Sequence, residues 1–127
     1  MAGAEPGPAD LGPATPIDRM AAVIGWGLND LGRPAEAVSA LEGALRTMPR
    51  HTRDYPRFGT RLALAYVARG ELARGCALMT DLLDAVVRVD SATIRTDLQA
   101  FARIIEKHHL DPTATALRQK MTVALHR

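Results

Sequence analysis

Residues 25–38 read Gly-Trp-Gly-Leu-Asn-Asp-Leu-Gly-Arg-Pro-Ala-Glu-Ala-Val and contain the end of one helix and the start of the next. Gly32 can adopt the left-handed backbone that closes a helix, and Pro34 suits the first position of a new one. Apolar residues recur every three or four positions on both sides of this turn, as on one face of an amphipathic helix. The stretch therefore predicts two helices joined by a short turn.

Helical periodicity of this kind recurs along the chain and predicts six helices after residue 16. The apolar positions expected to face the interior are Ile17, Met20, Ile24, Leu28 and Leu31 in the first helix, Val38, Leu41, Leu45 and Met48 in the second, Phe58, Leu62, Ala65 and Tyr66 in the third, Leu72, Cys76, Met79, Leu83 and Val86 in the fourth, Ile94, Leu98, Phe101 and Ile105 in the fifth, and Leu117, Met121 and Leu125 in the sixth. The connections are short, so consecutive helices should pack antiparallel. The predicted fold class is all-α, built from antiparallel helical hairpins.

Composition divides the chain of 127 residues into two parts. Residues 1–16 hold four of the eight prolines and three of the ten glycines, and we expect a disordered tail there. Residues 17–127 form the predicted helical domain. Met20 to Leu28 is the longest nearly apolar run, and it is too short to span a membrane. With no secretory signal and a single cysteine, Cys76, the sequence favours a cytoplasmic location.

Small residues lie at corresponding positions of the predicted hairpins. They are Gly25, Gly32, Ala37 and Ala44 around the first hairpin, which Pro49 closes. In the second hairpin Ala63, Gly70 and Gly75 match, and so does Tyr66. This arrangement resembles the tetratricopeptide repeat, a helix–turn–helix unit of 34 residues. The resemblance implies hairpins stacked as a right-handed superhelix with a concave groove. Leu82 replaces the small residue that would match Ala44, and the third hairpin has His108-His109 in place of the turn glycine, so it is either a divergent repeat or a terminal capping pair.

A narrower resemblance covers residues 17 to about 110. The segments Leu31–Ala37, Arg61–Cys76 and Asp90–Ala92 look like the C-terminal tetratricopeptide-like region of helix-turn-helix transcriptional regulators of high-GC bacteria. It implies the sensing or partner-binding half of such a regulator, without the DNA-binding domain that those proteins carry before it.

The repeat resemblance also implies which side chains line the groove. These candidate partner-binding residues are Arg19, Trp26 and Asn29 on the first helix, Arg57, Thr60 and Arg61 on the third, and Gln99 and Arg103 on the fifth. Arg57 and Arg61 are four residues apart and should share a helix face. Two guanidinium groups there would bind the carboxylates of an acidic or C-terminal peptide segment. We therefore expect Arg61→Ala to weaken partner binding.

Several features have competing interpretations. Trp26 either anchors a partner in the groove or fills the seam against the third helix. Residues 46–74 carry seven arginines and two acidic residues, which indicates either a solvated edge or an anionic partner such as a peptide or nucleic acid. A pocket between helices, enriched in Met20, Met79 or Trp26, would instead indicate a small-ligand sensor.

Residue types that often act in catalysis or metal binding have structural explanations in this sequence. Cys76 continues an apolar helical series, so it is predicted to be a buried small side chain rather than a nucleophile. Adjacent residues on a helix point about 100° apart, so His108 and His109 cannot simply chelate one ion. No phosphate-binding glycine loop is present. We expect no catalytic residue, no metal and no cofactor.

These patterns predict a non-enzymatic interaction module that binds a protein or peptide segment, or a second copy of the chain, and regulates transcription through that partner. The alternatives are a small-ligand sensor with an interhelical pocket and, less favoured, direct binding of nucleic acid through residues 46–74.

Overall fold

The computed structural model describes residues 16–89 and 91–125, with side chains from Val23 onward. Within these residues there are six α-helices and no strand, which confirms the predicted all-α class. The helices are α1 (Pro16–Asp30), α2 (Pro34–Thr47), α3 (Asp54–Ala68), α4 (Leu72–Val89), α5 (Ala92–Glu106) and α6 (Pro112–Leu125). The predicted tail, apart from Pro16, and the side chains of Ile17, Arg19 and Met20 lie outside the described part of the chain.

The helix ends follow from local sequence. Gly32 and Gly70 have φ angles of 74° and 94°, in the left-handed region that side chains disfavour. The Ser91 hydroxyl accepts a hydrogen bond from the backbone N–H of Ile94 and so caps α5. The Asp111 carboxylate accepts hydrogen bonds from two backbone N–H groups in the first turn of α6.

The core consists of two hydrophobic clusters that share α3 as the central helix. The first cluster contains Ala37, Val38, Leu41, Ala44, Leu45, Met48, Phe58, Leu62, Ala65 and Tyr66. The second contains Ala63, Leu64, Val67, Cys76, Met79, Leu82, Leu83, Val86, Ile94, Leu98, Phe101, Ile105, Ala114, Leu117 and Met121. All the predicted interior positions of α2, α3 and α5 are buried, and so are those of α4 apart from the half-buried Leu72. None of the described helices combines the length and apolarity needed to cross a bilayer.

Three predicted interior positions are wrong. Ile24 and Leu31 of α1 are 56% and 73% exposed, and Leu125 at the end of α6 is also exposed. The face that α1 turns inward is centred on Gly25, where an added Cβ would lie only 2.7 Å from the Leu41 Cγ atom. This close approach to α2 directs Ile24 and Leu31 towards solvent.

Glycines allow two further close approaches between helices. At Gly59, a Cβ would lie 2.8 Å from a Leu82 methyl group, so the bulky Leu82 is accommodated by a missing side chain on α3. At Gly75, a Cβ would lie 2.5 Å from Val67 and 3.0 Å from the backbone oxygen of Ala63. The α3–α4 hairpin therefore depends on small residues on both of its helices.

Gly75→Ala is expected to lower the free energy of unfolding by about 1 kcal/mol. Overpacking against the backbone of α3 costs about 1–3 kcal/mol, which exceeds the gain of at most about 1 kcal/mol from the helix preference of alanine. Gly43→Ala is the matched control, because Gly43 is exposed within α2 and no atom lies within 4 Å of its added Cβ. That variant should be more stable than the wild type. Urea unfolding measures both, and stabilisation of both variants to the same extent would contradict the close approach.

Candidate partner-binding site

Three of the predicted groove residues, Trp26, Arg57 and Arg61, lie together where α1 meets α3. Trp26 packs edge-on against Phe58, with ring centroids 5.6 Å apart and an angle of 88° between the planes. The guanidinium carbon of Arg61 lies 4.0 Å from the centroid of the Trp26 ring, and that of Arg57 lies 5.9 Å from the Phe58 ring. Two aromatic rings and two cations thus form one contiguous group.

Arg61 is buried and already bonded to carboxylates of its own chain. Its Nε donates a hydrogen bond to Asp97 on α5 at 3.1 Å, and a terminal nitrogen bonds Asp30 at the end of α1. Trp26 covers one face of the guanidinium. These contacts connect α1, α3 and α5 through one side chain. Arg61 is therefore not displayed to solvent, unlike the groove residue that the sequence led us to expect.

Asp97 is the buried acidic partner of Arg61, and it is not among the site residues predicted from the sequence. It is buried, and burial raises the pKa of its carboxyl group, while the charge and hydrogen bond of Arg61 act in the opposite direction. A signal was present, because Asp97 lies directly before Leu98 and three residues after Ile94, on the apolar side of α5. A charged residue at such a position requires a partner.

The remaining predicted groove residues have different environments. Thr60 is fully buried, and its hydroxyl donates a hydrogen bond to the Pro56 carbonyl at 2.7 Å, so it belongs to the interior of α3. Asn29 is half-buried on α1, and both Gln99 and Arg103 are exposed on α5. The side chain of Arg19 lies outside the described residues.

Beside this group is an open, mainly apolar concavity of about 320 Å³. It is lined by Val23, Trp26, Gly27, Arg57 and Phe58. Val23 is 56% exposed, and so is the neighbouring Ile24, so large apolar surface continues from the concavity onto α1. We call Val23, Trp26, Gly27, Arg57 and Phe58 the α1–α3 patch.

Arg57 gives this patch a positive rim. Its side chain is one-third exposed, and a terminal nitrogen lies 3.6 Å from the Asp54 carboxylate. Its Nε is buried and has no hydrogen-bond partner among the described residues.

The residues considered for a ligand pocket, a nucleophile or a metal site have other environments in the structure. Met79 is fully buried in the core. Cys76 is also buried, and burial raises the pKa of its thiol, with a smaller contribution from Asp111. His108 and His109 are exposed, and the described part of the chain holds no group of three or more His, Cys, Asp or Glu residues that could bind a metal.

In the second half of the arginine-rich segment, positive charge is balanced by nearby carboxylates. Arg74 pairs with Glu42 and Glu71, and Arg69 pairs with Glu71. The Tyr66 hydroxyl donates a hydrogen bond to Glu42, and burial together with this acceptor raises the Tyr66 pKa to about 12. This network joins α2, α3 and α4 and leaves little net charge for a polyanion.

Comparisons of the chain with protein-family models, curated proteins and solved structures gave no match.

Proposed function

We propose that this chain is a non-enzymatic module that binds a protein or peptide segment at the α1–α3 patch. The observation that carries the proposal is the apolar concavity with exposed Val23 at its edge and Trp26 and Phe58 in its wall. Exposed aliphatic surface beside a concavity is typical of interaction sites. Tryptophan and arginine are the residues most often responsible for binding energy in protein interfaces.

The contacts behind the patch support the same proposal. Trp26 is held between Phe58 on one side and the Arg61 guanidinium on another, and Arg61 is itself fixed by Asp97 and Asp30. A side chain that is ordered before binding loses less conformational entropy when a partner arrives. The buried arginine therefore positions the binding surface rather than contacting the partner.

We further propose that the hairpins stack in the manner of tetratricopeptide repeats and that the module acts in transcriptional regulation, in the cytoplasm. The packing of α3 against α1, α2, α4 and α5 supports the first part, as do the close approaches at Gly25 and Gly75. The second part is supported by the resemblance of Arg61–Cys76 to regulators of high-GC bacteria.

Affinity capture from the native host tests the proposal, with the tagged chain and two surface variants. Val23→Glu places a charge in the apolar patch, whereas Val123→Glu is the matched control, because Val123 is similarly exposed on α6. A specific protein should be retained by the wild type and by Val123→Glu, and its amount should fall about tenfold or more with Val23→Glu. Equal retention by all three proteins would contradict binding at the patch, provided that circular dichroism shows the same helix content.

A further inference from the structure

The junction of α2 and α3 carries a cluster of arginines, three of which have no acidic partner among the described residues. Arg46 lies in the last turn of α2, and Arg50 and Arg53 lie in the loop before α3. All three are exposed, and within the described part of the chain no carboxylate lies within 4.0 Å of their nitrogens. We call Arg46, Arg50, Arg53 and Arg57 the basic corner.

The contrast with other arginines is marked. Ion pairs with carboxylates of the chain engage Arg33, Arg61, Arg69, Arg74 and Arg118. At the basic corner, Arg57 has the single such contact with a described residue, which is Asp54 at 3.6 Å. Arg88 and Arg103 also have no carboxylate within 4.0 Å among the described residues, but they lie on α4 and α5. The α2–α3 junction therefore brings several cations together within a short segment of the chain.

The backbone that presents this cluster is well fixed. Thr52 is buried, and both its backbone N–H and its hydroxyl donate hydrogen bonds to the Pro49 carbonyl, at 3.2 and 2.8 Å. Arg50 lies over the Tyr55 ring, with 5.4 Å between the guanidinium carbon and the ring centroid. The arginines therefore project from an ordered loop, which lowers the entropic cost of binding an anion.

The basic corner is continuous with the α1–α3 patch. Arg53 has helical backbone angles, φ −69° and ψ −25°, so the spacing of four residues places it beside Arg57 on one face. Arg57 in turn lines the concavity with Val23 and Phe58. A ligand that reaches from the concavity past Arg57 would therefore meet Arg53.

We propose that the partner segment is an acidic amphipathic one, with a large apolar side chain in the concavity and carboxylates on the basic corner. This inference rests on the proposed function, whose partner class it specifies. Arginine binds carboxylates through two parallel N–H groups. Because apolar surface lies beside the cations, a segment with both carboxylates and a large apolar side chain would bind more tightly than one with carboxylates alone.

A nucleic acid matches the surface less well. Its phosphates would pair with the arginines, but it would leave the apolar concavity uncovered. Stacking of unpaired bases requires an accessible aromatic face. Tyr55 is covered by Arg50, Phe58 is almost fully buried, and the Arg61 guanidinium lies over the Trp26 ring. The observations therefore favour an acidic protein segment.

A titration of the full chain with a synthetic peptide tests this inference. The probe has leucine and phenylalanine on one helical face and glutamate on the other. Three further probes are a scrambled peptide of the same composition, a peptide with lysine in place of glutamate, and duplex DNA. Trp26 is the only tryptophan and lines the concavity, so its emission reports occupancy of that position. The acidic amphipathic peptide alone should change the emission.

Two double variants distinguish binding at the basic corner from nonspecific attraction between the peptide and any positive charge of the protein. Arg50→Ala/Arg53→Ala removes two cations from the corner, and Arg118→Ala/Lys120→Ala removes two from the exposed face of α6. The first should weaken peptide binding about tenfold or more, and the second by less than about twofold. The first variant should also show a weaker dependence of affinity on salt.

Each opposite result overturns the inference. The first two are equal affinity for the scrambled and the acidic amphipathic peptide, and an equal loss of peptide affinity in both double variants. The others are no binding of the acidic amphipathic peptide, and tighter, arginine-dependent binding of DNA with unchanged Trp26 emission. If host-protein capture still depends on Val23 while Arg50→Ala/Arg53→Ala captures as the wild type does, the proposed function stands and the acidic partner is wrong. If capture is independent of Val23 as well, both are wrong.

Discussion

Arg61→Ala is expected to lower the free energy of unfolding by about 3–5 kcal/mol, because it leaves the buried Asp97 carboxylate without its cation. The same substitution removes the bond to Asp30 and the contact with the Trp26 ring. A loss of this size is a large part of the stability of an ordinary domain. Chemical denaturation followed by far-ultraviolet circular dichroism measures it.

A compensating variant distinguishes an unpaired charge from simple loss of packing. In Arg61→Met/Asp97→Leu both buried charges are replaced by apolar side chains, and most of the lost stability should return. Asp30 is then left at the surface, where its side chain is 62% exposed and hydrated. If Arg61→Ala loses less than about 1 kcal/mol, or if the double variant is no better than the single one, the buried network does not hold α1, α3 and α5 together.

Partner binding by Arg61 variants has to be interpreted together with their stability. The sequence alone leads to an expected loss of partner affinity in Arg61→Ala, by contact with a carboxylate of the partner. The structure shows the guanidinium bonded to Asp97 and Asp30. Lost binding in that variant would therefore reflect a displaced Trp26 or partial unfolding, so Val23 and the basic corner are the informative positions.

Phe101→Ala should also destabilise the protein by about 3–5 kcal/mol. Phe101 is fully buried in the second core cluster, where its ring belongs to the interior shared by α3, α4, α5 and α6. Truncation removes apolar contacts and leaves a cavity that a helical array can fill only partly. Thermal and urea unfolding measure the loss, and Phe101→Leu is the conservative control, expected to cost much less.

The unfolding of Phe101→Ala also shows whether the third hairpin, α5 and α6, folds together with the rest. This hairpin departs most from the repeat pattern. If α5 and α6 belong to the same cooperative unit as α3, Phe101→Ala shifts the whole unfolding transition. A stability unchanged within about 0.5 kcal/mol, or a separate early transition confined to part of the helix content, would show that the last hairpin folds apart from the rest.

Apolar periodicity predicted the helices well because each helix buries one face against its neighbours. The positions Val38, Leu41 and Leu45 in α2, and Ile94 and Leu98 in α5, are all interior. It was wrong for Ile24 and Leu31, because the inner face of α1 is determined by the absence of a side chain at Gly25. A scale that counts apolar residues gives a glycine no weight, although its small size lets α1 approach Leu41.

The candidate site was predictable only in part. Placing Trp26, Arg57 and Arg61 on facing helices followed from the repeat resemblance, and the structure brings them together. Their separate roles depend on Asp97, which is 36 positions away from Arg61 in sequence. Spacing along one helix cannot show that a residue on another helix neutralises the charge. The basic corner was visible as charge, but its continuity with the apolar concavity required the fold.

Site-specific photo-crosslinking shows whether the α1–α3 patch binds a partner. A benzophenone amino acid replaces Val23 in one protein and Val123 in another, and both are irradiated in the native host. We expect a discrete adduct between position 23 and one other protein, reduced by Arg50→Ala/Arg53→Ala, and no such adduct from position 123. Adducts of the same protein in equal yield from both positions, or none from position 23, would contradict it.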